Sequence, residues 1–176
     1  MSALPKRKLN RLPEYDYGEN GVYFITICTH NKQNLFWKGC RDNPCGCPSE
    51  SLTIEYTLLG DIAISAIKQI KEKFNISIEN YVVMPNHIHL LIFIDEYEKR
   101  TAARAVPTIP QIVGAYKSLI ANQYLNLCKK NNIEMGQLWQ RSYYDHIIRN
   151  EIDYLTKWDY IQNNIAEWTK DEYYYD

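Results

Sequence analysis

The segment VVMPNHIHLLIFI constrains the fold of this chain more than any other. It joins the end of one apolar run, residues 76–84, to a second, residues 88–94, across Pro85 and Asn86. Proline removes a backbone donor and asparagine supports turns, so this pair interrupts an otherwise continuous apolar stretch. Two runs of strand length broken this way predict two neighbouring antiparallel strands. A lone pair of strands is only marginally stable in water, so further strands or helices must cover it.

Those elements are visible on both sides. Residues 22–29 (VYFITICT) alternate as a strand does, and the Gly/Pro/Asn/Cys stretch over 39–50 reads as a loop or inserted hairpin. Across 58–74, Ile62, Ala63, Ala66, Ile67 and Ile70 recur at helical spacing, with Lys and Glu opposite. Residues 95–107 form a charged, proline-bounded connection. A second amphipathic helix covers 109–127, with Ile112, Ala115, Leu119, Ile120 and Tyr124 on one side. Residues 138–148 (LWQRSYYDHII) predict a fourth strand, and 151–168 a third helix capped by Asn150.

The order β-α-β-β-α-β-α predicts an α+β fold whose first six elements form a ferredoxin-like split βαβ arrangement. That is a four-stranded antiparallel sheet with two helices on one face, leaving the C-terminal helix to cross the other. The chain divides into a basic arm (1–14), a single catalytic domain (15–168) and an acidic, aromatic tail (169–176), which reads as poorly ordered.

With 176 residues and 45% apolar content, the chain can bury a core without disulfides. Its formal net charge of −1 excludes a global basic field, so any positive charge for nucleic acid must be local. Lys6, Arg7, Lys8 and Arg11 supply one such cluster. The absence of an 18-residue apolar window or a signal peptide points away from a membrane and towards the cytoplasm. Five cysteines are then expected to stay reduced. Cys40, Cys45 and Cys47 lack the paired spacing of a zinc site and read as a surface loop.

Chemistry concentrates at His87 and His89. Side chains two apart in a strand share a face, about 6–7 Å apart, so both imidazoles can reach one divalent ion. An isolated His-x-His pair is equally compatible with inert, hydrogen-bonded histidines. Two histidines also leave a metal undercoordinated. Tyr160 and Asn164, in WDYIQNNIAEW, are four apart and share a helical face. An amide oxygen from Asn164 can complete the coordination while Tyr160 presents its hydroxyl, although core packing and helix capping account for the same spacing. A tyrosine near a bound cation can attack a phosphodiester and form a covalent phosphotyrosine, which stores the bond for rejoining.

Three segments in this order, YVVMPNHIHLLI, LWQRSYYDHIIRNEIDYL and KWDYIQNNIAEW, together with VYFITICTHNKQNLF, resemble the single-tyrosine HUH transposases. Within that class the resemblance is to the REP-associated tyrosine transposases, over most of residues 15–168. It implies Mg²⁺ or Mn²⁺ at His87 and His89, Tyr160 as nucleophile and Asn164 completing the metal site. It also implies single-stranded or hairpin DNA as partner, a 5′-phosphotyrosine link with a free 3′-hydroxyl, and a monomer or homodimer. The chain departs from the family in carrying Ile165 where a proline often follows the asparagine. By the same resemblance His146 stands at a shared motif histidine, where it either supports the site from behind the metal ligands or packs. Arg141 and Arg149, flanking the fourth strand, and Lys117 on the second helix are candidates for DNA phosphate by position. His30 has no assigned role.

Two other readings predict different behaviour. A non-catalytic single-strand-binding module would use exposed aromatics on the sheet, for which Tyr23 and Phe24 are the first-strand candidates. A metal phosphoesterase would hydrolyse a nucleotide without a covalent intermediate and would survive Tyr160→Phe.

Overall fold

The computed structural model of the protein describes residues 21–41, 53–94 and 106–174. The basic arm, Cys45, Cys47 and most of the expected 95–107 connection lie outside the described residues.

Four strands form one antiparallel sheet: β1 (Gly21–Cys28), β4 (Ser77–Val83), β5 (His87–Ile94) and β6 (Tyr144–Ile148), in the order β4-β5-β1-β6. The ferredoxin-like expectation is met, with the first and third strands of the motif at its centre. Between β1 and the first helix, β2 (Trp37–Arg41) pairs with β3 (Thr53–Tyr56), so the cysteine-bearing stretch is flanked by a hairpin that includes Cys40.

Helix α1 (Leu58–Phe74) takes the expected limits because both ends are specified locally. The Thr57 side chain accepts from the Gly60 amide at its start, and Asn75 adopts the left-handed conformation (φ 51°) after its end. Helix α2 (Ile109–Lys130) runs three residues beyond the expected 127. Its buried residues include Ile112, Val113, Tyr116 and Ile120, while Ala115, Leu119 and Tyr124 are only partly buried. Tyr116 joins α2 to α1 by donating to the Ala63 carbonyl at 2.9 Å.

Two elements differ from expectation. The strand expected over 138–148 is interrupted: Trp139 bridges to Thr29, and pairing resumes only at Tyr144. Lys117 binds the carbonyls of Gln140 and Ser142 at 2.8 and 3.0 Å, satisfying acceptors of the intervening chain outside the ladder. Helix α3 (Glu151–Asn163) begins with the expected Asn150 cap but stops short of 168. Turns follow, then a short 3-10 segment, Trp168–Lys170.

Strand alternation divides the sheet chemically. Tyr23, Ile25, Ile27, Ile88, Leu90 and Ile92 point one way and are buried in the apolar core with α1 and α2 residues. Phe24, Thr26, Cys28, His87, His89 and Phe93 point the other way. The pairings Thr26 with His89 and Cys28 with His87 put them side by side. Helix α3 lies over this second face, with Tyr154 edge-on to Phe93 and Tyr160 edge-on to Phe24. A register shift between Ile78 and Asn80 turns buried Asn80 towards α3. Its amide donates to the Trp158 carbonyl at 3.2 Å and its oxygen accepts from Gln162 at 2.9 Å, bracketing Tyr160.

Candidate active site

His87 and His89 are fully buried, with their Nε2 atoms 2.9 Å apart. Each imidazole is oriented through its other nitrogen. His87 Nδ1 lies 2.8 Å from Asn86 Oδ1, which can only accept, so that nitrogen carries the proton and Nε2 is bare. His89 Nδ1 lies 2.9 Å from Thr26 Oγ1, a group able to donate or accept. His89 can therefore hydrogen-bond to His87 through Nε2, or expose that lone pair alongside it. The second state directs two bare nitrogens at one point, an arrangement that a cation relieves.

The third member, Asp171, has no local sequence signature. Asp171, in the stretch expected to be a loose tail, has a side chain only 1% exposed, with Oδ2 at 4.0 Å from His87 Nε2. The ligand atoms of His87, His89 and Asp171 all lie within 4.8 Å of one another. The same Oδ2 accepts from Tyr160 Oη at 3.0 Å and from Asn164 Nδ2 at 2.8 Å, while Oδ1 accepts from the Tyr173 amide at 2.7 Å. The expected poorly ordered tail is thus corrected as far as residue 174: this segment packs into the site. The Asn86 amide donates to the Tyr173 carbonyl at 2.9 Å, and the Tyr173 ring lies 4.6 Å from that of His87.

Asn164 is the other informative residue. With its nitrogen committed to Asp171, its Oδ1 is buried with no hydrogen-bond partner. A buried acceptor without a donor is costly, and a cation would satisfy it. Two imidazoles and a carboxylate form a donor set able to hold a divalent cation, and the orphaned amide oxygen belongs to the residue that donates to that carboxylate.

Electrostatics favour the ligating forms. Burial lowers the His87 pKa to about 4, with Asp171 opposing and Lys32 reinforcing the shift. Burial also holds His89 well below the usual histidine range, aided by His87 and Lys157. Tyr160 is pushed upward, first by burial and then by the Asp171 carboxylate, so here it is a neutral phenol donating to Asp171.

A cavity of about 510 Å³ opens beside these groups, with Tyr160, His89, Asp171, Lys157, Phe24 and Tyr144 among its lining residues. The remaining candidates lie elsewhere. His146 Nε2 binds both Asp153 oxygens at 2.9 Å, so it secures the first turn of α3 and makes no bond to the histidine pair. Lys117 donates to two backbone carbonyls. Arg141 is exposed, and exposed Arg149 borders a separate cavity with Phe93 and Tyr154. Lys6, Arg7, Lys8 and Arg11 lie outside the described residues. Among the described residues, no helix is long and apolar enough to cross a membrane.

Residue signals for Asn86 and Thr26 existed in retrospect. One adjoins the histidine pair and the other sits on the alternating face of the first strand. Asp171 lies 84 positions from His87, and no local pattern links them.

The chain is 33% identical to a Haemophilus influenzae protein of unassigned function, over 99% of this chain and 97% of that one. It is 26% identical to the REP-associated tyrosine transposase of Escherichia coli, over 88% of this chain and 73% of that protein. Among solved structures, that of a REP-associated tyrosine transposase bound to a REP hairpin matches 96% of this chain and 74% of its own, with a TM-score of 0.50 and 20% identity. This last likeness extends to the fold. The model of the IS200-like transposases matches residues 23–164, from the first strand to the asparagine below Tyr160, and the chain belongs to that family.

Proposed function

We propose that this protein is a divalent-metal-dependent enzyme that cuts and rejoins single-stranded DNA at or near hairpins, with Tyr160 as nucleophile. The observation that carries the reading is the convergence of the Tyr160 hydroxyl, the orphaned Asn164 oxygen and two imidazole nitrogens around one buried carboxylate. Family membership and the hairpin complex of the structurally similar transposase support DNA as the substrate.

His87, His89 and Asp171, with Asn164, would hold Mg²⁺ or Mn²⁺. Such an ion, when bound, supplies charge that stabilises the non-bridging oxygens of a phosphodiester and favours the phenolate. Asn86 and Thr26 orient the two imidazoles. Asn80 and Gln162 fix the turn of α3 that carries Tyr160. Attack forms a bond from Tyr160 Oη to phosphorus and breaks the bond to the 3′-oxygen. The phenol proton leaves along its hydrogen bond to Asp171, and the 3′-oxygen departs protonated by solvent. The product is a 5′-phosphotyrosine with a free 3′-hydroxyl, and the reverse attack reseals the strand.

The test is incubation of labelled single-stranded hairpins from the flanks of the gene with Mn²⁺, followed by a denaturing gel. Wild type is expected to give a slowly migrating covalent species, absent from Tyr160→Phe and from the double variant His87→Ala/His89→Ala. Cleavage that persists in Tyr160→Phe would instead identify a phosphoesterase using water.

A further inference from the structure

We propose that Lys157 is a phosphate-binding residue of this site, its ammonium contacting a non-bridging oxygen of the phosphodiester that reaches Tyr160. The proposal rests on Tyr160 being the nucleophile, but makes a claim about a residue that neither the metal set nor the tyrosine requires.

Lys157 precedes Tyr160 by three residues in α3, which puts both on one helical face. Its Nζ lies 5.1 Å from the centroid of the Phe24 ring and 6.0 Å from that of Tyr160. It also lines the cavity shared by Tyr160 and His89. The aromatic surface thus holds the charged end of a long, flexible side chain beside the reactive hydroxyl.

The charges nearby leave Lys157 available. Asp153, one turn earlier, is taken by His146 and by the Arg149 amide. Among the described residues, no carboxylate oxygen lies within 4.0 Å of Lys157. Lys170, the other lysine on the cavity wall, is paired with Glu167 at 3.3 Å. Lys32 donates to the Glu172 carbonyl and lies over the Tyr173 ring.

A cation here would add to the charge that a divalent ion on Asp171 supplies. A phosphodiester approaching the Tyr160 hydroxyl comes within reach of the Asp171 carboxylate, which sits 3.0 Å from that hydroxyl. Two negative charges at such separations repel substantially at a half-buried site. The Lys157 ammonium, anchored on the neighbouring ring, is placed to offset that repulsion through a charge-assisted contact.

The test compares wild type, Lys157→Met and Lys157→Arg. Lys157→Met keeps an apolar stem over Phe24, and Lys157→Arg keeps the charge. Covalent-adduct formation in Mn²⁺ is measured on a hairpin oligonucleotide and on the same strand with a neutral methylphosphonate at the cut position. Lys157→Met is expected to slow adduct formation on the phosphodiester by roughly tenfold to hundredfold. It should have little further effect on the methylphosphonate, and Lys157→Arg should restore most of the rate. An equal loss on both substrates, or no loss on either, would overturn the proposal.

If wild type forms no adduct, the tyrosine reading fails and binding decides the matter for Lys157. The affinity for a single-stranded oligonucleotide is then measured across a salt series. Loss of one phosphate contact predicts a slope shallower by about 0.7 in log affinity against log salt. An unchanged slope would overturn the proposal.

Discussion

The two faces of the central sheet are built from the same strands and do opposite things. On β5, Ile88, Leu90 and Ile92 are sealed into an apolar core, while His87 and His89, equally buried, face polar partners. Burial alone therefore does not distinguish core from site. The first face is satisfied by packing, and the buried Tyr116 hydroxyl there is paired with the Ala63 carbonyl. The second sets two imidazole nitrogens 2.9 Å apart and leaves an amide oxygen without a donor. A buried polar cluster that is incompletely satisfied is better explained by ligand binding than by stability.

Substitutions on each face should separate these roles. Tyr160→Phe has the largest expected effect on function, a complete loss of covalent DNA adduct on a denaturing gel. It removes one oxygen from a half-exposed site and should leave thermal unfolding close to that of wild type. Leu90→Ala, on the opposite face, should do the reverse. Emptying a buried leucine site costs about 2–5 kcal/mol in denaturant unfolding, and Mn²⁺ affinity of the remaining folded protein should not change.

Asn86→Ala sharpens the comparison, since it touches the proposed metal ligand His87 without being one itself. Removing the acceptor that fixes His87 should weaken Mn²⁺ binding by roughly 10–100-fold, read by calorimetric titration. The smallest effect is expected from His146→Ala. The pair it forms with Asp153 is partly solvated, so its loss should cost no more than about 1 kcal/mol of stability. Mn²⁺ affinity should stay unchanged if His146 serves α3 rather than the metal set.

Much of this organisation was legible from local sequence. The helical spacing of Ile62, Ala63, Ala66, Ile67 and Ile70 marks α1, the Pro85-Asn86 break separates β4 from β5, and the two-residue spacing of the histidines assigns them a common face. Spacing also put Tyr160 and Asn164 together, and both donate to the same Asp171 oxygen. What escaped was set by contacts distant in sequence. Helix α3 gives way to turns after Asn163, and this change of direction carries Asp171 back to the histidines. The acidic, tyrosine-rich composition of that segment resembles a solvated terminus, because composition does not record what a carboxylate meets after the chain turns. The two carbonyls of the interrupted strand that Lys117 meets are likewise set by chain distant in sequence.

The central claim is that Tyr160, and no other tyrosine of this cavity, bonds to DNA. Tyr173 is the informative competitor, since it lines the same cavity and its ring approaches that of His87. The direct measurement is peptide mass spectrometry of the protein after reaction with a hairpin oligonucleotide in Mn²⁺ and nuclease trimming. The account predicts a nucleotide carried through its 5′-phosphate on the peptide containing Tyr160. A nucleotide on Tyr173, or cleaved DNA with no modified peptide, would contradict it.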